Sequence, residues 1–167
     1  MRIFPEYAGR LIGGWMPALL CGSVIFYLSA QPSSALPSPW FPHMDKLAHA
    51  AEYGVLAILL FRAWFWPKDM DHDPREKKFI PLLWAFLWPR YKGLTKIKLF
   101  NAGLVILLVC SLYALSDEIH QMYVPGRAAA FPDWMADFLG SGLALALCLY
   151  LTYPWQREKI SPPLPLS

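Results

Sequence analysis

The chain has 167 residues, 56% of them hydrophobic, 16% aromatic and only 16% charged, with a positive mean hydropathy. Soluble domains carry about 25% charged residues, and the apolar residues here come in blocks too long for one buried helix or strand. A soluble α/β enzyme and a disordered chain are both disfavoured. The net charge of +3 becomes informative once the charges are placed along the chain.

A spanning helix needs roughly 20 mostly apolar residues to cross about 30 Å of hydrocarbon. After a short tail, residues 1–10 with Arg2 and Arg10, the first such stretch covers about 11–30. A basic tail before an apolar run resembles a secretory signal. This run is long, however, and Leu28-Ser29-Ala30 makes a poor small-x-small cleavage site, so a retained span is expected. Cys21, Cys110 and Cys148 each sit in a different apolar block, where a thiol serves as a small packing residue.

A Pro-rich loop containing His43 leads to the second span, about 44–66. The cytoplasmic loop 67–98 follows. Its acidic stretch 69–74 lacks the Gly and Glu of a calcium loop and reads as a solvated turn. Its short apolar run 79–88, broken by Pro81, reads as an interfacial segment. Lys77, Lys78, Arg90, Lys92, Lys96 and Lys98 interleave with Trp84, Trp88 and Tyr91. Beside two spans this pattern implies an anchor on anionic inner-leaflet lipids and not a nucleic-acid surface. The third and fourth spans cover about 99–123 and 134–153, and 154–167 form a second tail.

Lys and Arg are retained on the cytoplasmic side of a membrane. Arg2, Arg10, Lys68, Arg75, Lys77, Lys78, Arg90, Lys92, Lys96, Lys98, Arg157 and Lys159 all fall on one side of the four spans. Arg62, near the inner end of the second span, is expected to snorkel to that interface. Only Lys46 and Arg127 fall on the other side. The expected fold is therefore all-α, an integral membrane bundle of four transmembrane helices with both termini cytoplasmic. The expected location is the bacterial inner membrane.

The remaining polar residues collect at the outer ends. Asp45, His49 and Glu52 share a helical face, with Lys46 and Tyr53 beside it. Glu52 lies about 10 Å below Asp45 along the axis. Asp117 and Gln121 stack one turn apart, next to Glu118 and His120, and Asp133, Asp137 and Gly140 form a stripe on the fourth span. Six carboxylates thus face two cations, Lys46 and Arg127. Ionisable groups inside a membrane are costly and normally face a bundle interior or a wet cavity. Asp45, His49, Glu52, Asp117, Glu118 and Asp137 are the candidates for acid/base work. Lys46, Tyr53, Gln121, Arg127 and Asp133 are the candidates for holding a ligand, Arg127 for an anionic headgroup.

His49, Glu52, Asp117, Glu118 and His120 are candidate ligands for a divalent metal, although nothing in the sequence requires one. A structural reading competes residue by residue. Asp45, Asp133 and Asp137 occupy first turns and suit the helix dipole, and the two cations can neutralise acids in an outer cap. Ala136, Gly140, Ala144 and Cys148 make a small-residue stripe suited to close helix packing.

The pattern Asp45-Lys46-x-x-His49-x-x-x-Tyr53, then Ser116-Asp117-Glu118-x-His120-Gln121-x-x-Val124-Pro125-Gly126-Arg127, then Asp133-x-x-x-Asp137-x-x-Gly140 resembles the VanZ-like family. Leu28-Ser29 with Pro32 and Pro37 resembles that family's outer loop, and the likeness covers about residues 15–150. Many members carry Phe where this chain has Ala50, and Asn where it has Asp137. The resemblance implies a small multi-span membrane protein whose namesake is linked to teicoplanin resistance. It implies no particular reaction.

Three functional readings follow. The first is action on, or binding of, a lipid-linked envelope component or a surface-active antibiotic at the acidic, His-containing outer pocket. The second is a non-catalytic binding or scaffolding module. The third, proton-coupled transport, has little support, because the inner half holds only Arg62 as a clearly ionised group.

Overall fold

The computed structural model describes residues 10–36, 39–66 and 94–157. All regular structure among them is helical. A π-helical turn, Arg10–Trp15, runs into α1, Met16–Ser29, with Pro17 in the first turn, where its missing N–H costs nothing. A 3₁₀ turn, Ser33–Ala35, precedes α2, Met44–Trp64. Then come α3, Lys96–Gln121, and α4, Phe131–Arg157.

Among the described residues four stretches are long and apolar enough to cross a membrane: Leu11–Ser29, Met44–Trp64, Lys96–Gln121 and Phe131–Thr152. They match the four expected spans, with differences at the ends. α3 begins at Lys96 because Thr95 accepts the Lys98 N–H at 3.3 Å as its cap. α4 begins at Phe131, followed by Pro132, a residue suited to a first turn. The interfacial run 79–88, the acidic turn 69–74 and most of the lipid-anchoring loop 67–98 lie outside the described residues. So do residues 1–9, 37–38 and 158–167.

The end of α1, the start of α2, the end of α3 and the start of α4 meet at one pole of the bundle. Phe26 packs on His120 with ring centroids 4.7 Å apart, His49 meets Asp137, and Glu118 meets the backbone just before α4. The helices therefore alternate in direction. α2 and α4 form the most intimate pair. A Cβ at Gly54 would stand 3.4 Å from the Gly140 carbonyl oxygen, and one at Gly140 would run into the backbone of Ala50. The small-residue stripe thus serves close helix approach, the role expected for it.

Tyr53, Leu56, Ala57 and Phe61 of α2 pack with Ile106, Cys110 and Ala114 of α3 and Leu145 and Cys148 of α4 to form the core. α1 lies at the side, tied to α3 by the Tyr113 hydroxyl, which donates to the Gly22 carbonyl at 2.7 Å. Leu19, Leu20, Val24, Leu104, Leu108 and Leu143 face outward. This apolar exterior suits a lipid bilayer.

One expectation is corrected at the opposite pole. Arg62 does not snorkel outward. It is 1% exposed, and its guanidinium stands 4.1 Å from the centroid of the Trp66 ring. The aromatic face attracts the cation electrostatically. Gly13 and Gly14 let the N-terminal turn approach the same indole, since a Cβ on Gly13 would lie 2.6 Å from the ring.

Candidate functional site

The polar pole is layered. At its rim Lys46 Nζ donates to Asp45 Oδ2 at 2.9 Å and to Asp133 Oδ1 at 2.8 Å. One helical turn deeper, His49 Nδ1 stands 3.1 Å from Asp137 Oδ1. The Asp137 side chain is wholly buried and that of His49 nearly so. The Lys46–Asp133 and His49–Asp137 contacts join α2 to α4, because residues three apart on α2 and four apart on α4 present the same face.

Glu118 enters from α3. Its Oε2 accepts the backbone N–H of Ala130 at 2.7 Å, a donor left free at the irregular approach to α4. His49, Glu118 and Asp137 each offer a ligand atom, and the three atoms lie within 4.8 Å of one another. Three helices thus deliver one imidazole and two carboxylates to one place.

The neighbours are buried and polar as well. Asp117 Oδ2 accepts from Gln121 Nε2 at 3.0 Å, the one-turn stacking expected of that pair. Tyr53 is fully buried, with its ring 6.0 Å from that of Tyr113 and its carbonyl accepting from Ser141 Oγ at 3.4 Å. Glu52 is half-buried, within electrostatic reach of His49, Asp117, Asp137 and Arg127. Arg127 follows Gly126, whose φ of +75° is the left-handed conformation that glycine adopts without strain. That turn is pinned by the Ser33 N–H, which donates to the Pro125 carbonyl at 3.3 Å.

Seven side-chain atoms of this pole are buried without a hydrogen-bond partner among the described residues: Ser29 Oγ, Tyr53 Oη, Asp117 Oδ1, Glu118 Oε1, His120 Nε2, Arg127 Nε and Asp137 Oδ2. Buried polar atoms are normally satisfied, so such a concentration calls for an explanation. Beside them lies a groove of about 390 Å³ bounded by Leu115, Ile119, Ala129, Ala130, Phe131 and Trp134, with Glu118 as its one ionisable wall residue.

The structure sorts the sequence candidates. It unites His49, Glu118 and Asp137. Asp45, His49 and Glu52 lie on one continuous helix, α2, but with different partners: Asp45 is exposed and paired with Lys46, while His49 meets Asp137. Of the five candidate metal ligands, His49 and Glu118 converge, and the third member is Asp137. Glu52, Asp117 and His120 stand outside that group, with His120 against Phe26 of α1. Ser141 and the Ala130 N–H were not anticipated. Ser141 falls one turn after Asp137 on the same stripe, a signal available in the sequence. The role of Ala130 belongs to an irregular backbone that no residue pattern announces.

An imidazole held by a carboxylate has its orientation fixed, so this arrangement suits proton transfer or cation binding. No curated protein and no solved structure matches the chain. The model of the VanZ/LLP1 family matches residues 15–152, a stretch that holds most of each of the four apolar helices and every side chain of the polar pole, and the chain belongs to that family.

Proposed function

We propose that this protein binds a lipid-linked component of the bacterial cell envelope, or a surface-active antibiotic of similar build, at the outer face of the inner membrane and acts on its headgroup. One observation carries the reading: Glu118 belongs both to the buried cluster with His49 and Asp137 and to the wall of the apolar groove. A ligand with an acyl chain in that groove brings its headgroup to the cluster. Arg127, in a tight turn at the same pole, supplies a cation for a phosphate or carboxylate. The distribution of Lys and Arg supports an extracytoplasmic placement of this pole, and the apolar exterior supports a multi-pass protein. The family's link to teicoplanin makes susceptibility to that drug a natural readout.

In this reading His49 takes or gives a proton, Asp137 orients it, and Asp117 and Glu118 act as base or ligand. The test compares lipid headgroup composition and teicoplanin susceptibility in cells with the wild-type protein, His49→Ala, Asp117→Asn or no protein. A headgroup change seen only with the wild type, while both variants accumulate in the membrane, is expected. Identical headgroups in all four strains, with graded loss of protection among the variants, would replace turnover by simple binding.

A further inference from the structure

We infer that His49, Glu118 and Asp137 form a binding site for one divalent cation of the zinc type. The inference rests on the same site as the function proposed above. Its test reads metal and not envelope chemistry, so the two can fail separately.

Each carboxylate is held by one oxygen and leaves the other without a partner. Glu118 Oε2 takes the Ala130 N–H at 2.7 Å, and Asp137 Oδ1 faces His49 Nδ1 at 3.1 Å. Glu118 Oε1 and Asp137 Oδ2 are buried with no hydrogen-bond partner among the described residues. Their residues are 4% and 1% exposed. Two buried carboxylates carry a charge that must be paired or neutralised. Lys46 does not serve, because Asp45 and Asp133 already hold it at 2.9 and 2.8 Å, and a protonated His49 would supply one charge for the two. A divalent cation matches the charge of the pair.

The geometry and the donor types agree with this. Two ligand atoms bound at about 2.0 Å to one tetrahedral zinc stand roughly 3.3 Å apart. Zinc would take the place of the His49–Asp137 hydrogen bond, whose two atoms, at 3.1 Å, already stand close to that spacing. All three donor atoms lie within 4.8 Å of one another. The Ala130 N–H on Glu118 is the kind of outer contact that orients a ligating carboxylate. One imidazole with two carboxylates favours a transition metal over magnesium or calcium, which prefer all-oxygen shells. Three protein ligands leave a position for a bound molecule, and Glu118 places that position beside the groove.

The full-length protein, purified in detergent without chelators, is stripped with EDTA, loaded with Zn²⁺ and desalted, and its metal is counted by mass spectrometry. One zinc per chain is expected. Zn²⁺ binding should weaken by more than about 100-fold in Glu118→Gln and Asp137→Asn, beyond the usual loss for an outer-shell residue. Ser116→Ala, whose hydroxyl bonds only its own helix at Tyr113, should bind like the wild type. Co²⁺ loading gives an independent readout on the wild type alone, with visible absorption bands that added Zn²⁺ abolishes. Absence of stoichiometric zinc and of cobalt bands in the wild type overturns the inference. So does undiminished binding in both carboxylate variants.

Discussion

His49 and Asp137 stand 88 residues apart in the chain, on α2 and α4, yet His49 Nδ1 and Asp137 Oδ1 lie 3.1 Å from each other in the buried interior of the polar pole. The contact fastens the two most closely packed helices at the place where their polar side chains face each other. Truncating either member leaves a buried partner unsatisfied, at a cost of about 1–3 kcal/mol. His49→Ala and Asp137→Ala should each lower the thermal unfolding midpoint in detergent. The double variant should lose less than the two single losses added, by about 0.5–3 kcal/mol. Strict additivity would show that the pair does not interact.

Gly140 and Gly142 make a matched comparison within one helix. A Cβ on Gly140 would meet the Ala50 backbone, which cannot move aside, whereas one on Gly142 meets nothing within 4 Å. Gly140→Ala should destabilise the bundle by about 1–3 kcal/mol through overpacking. Gly142→Ala should be neutral or stabilising by up to about 1 kcal/mol, since alanine favours the helix. Equal effects in thermal unfolding would count against the close α2–α4 approach.

The turn that carries Arg127 depends on Gly126 for two reasons. Its φ of +75° disfavours any side chain, and a Cβ there would collide with Ser33 Oγ. Gly126→Ala should abolish the function read by headgroup analysis while helicity persists. Adding Ser33→Ala removes the collision and should recover part of the activity, leaving a backbone penalty of about 1–2 kcal/mol. No recovery in the double variant would assign the whole effect to the backbone.

At the opposite pole, Trp66 supports both Arg62 and the N-terminal turn. Trp66→Leu keeps an apolar side chain but removes the aromatic face 4.1 Å from the guanidinium. A loss of about 0.5–2 kcal/mol is expected, seen as a lower unfolding midpoint. An unchanged midpoint would mean that the indole contributes only volume.

Orientation can be checked chemically in a background without Cys21, Cys110 and Cys148. Asp45→Cys occupies an exposed position at the rim and should react with a membrane-impermeant maleimide on intact cells. Lys159→Cys should react only after permeabilisation. The reverse pattern would invert the topology expected from the basic residues.

The four helices were legible because length and apolarity are properties of a contiguous segment, which a sequence displays directly. The polar pole was legible as a set of residues, since each helix shows its face by spacing alone. The partners were not. Periodicity puts Asp45, His49 and Glu52 on one side of α2, but it does not reveal that α4 claims His49 while Lys46 holds Asp45 and Asp133 at the rim. Likewise His120 reads as a member of the acidic cluster until the position of Phe26 on α1 is known. Arg62 reads as a cation seeking water until Trp66 folds beneath it.

Because α4 follows the other described helices in the chain, Lys46 and His49 are synthesised 87 and 88 residues before Asp133 and Asp137, their partners. At about 5–20 residues per second of translation, that interval is roughly 4–18 s. A nascent chain therefore holds α1, α2 and α3 for several seconds with an incomplete polar pole. A chain that ends prematurely before α4 never completes it. Such fragments lack the α4 partners of Lys46 and His49, so full-length product should accumulate without a ladder of stable shorter ones.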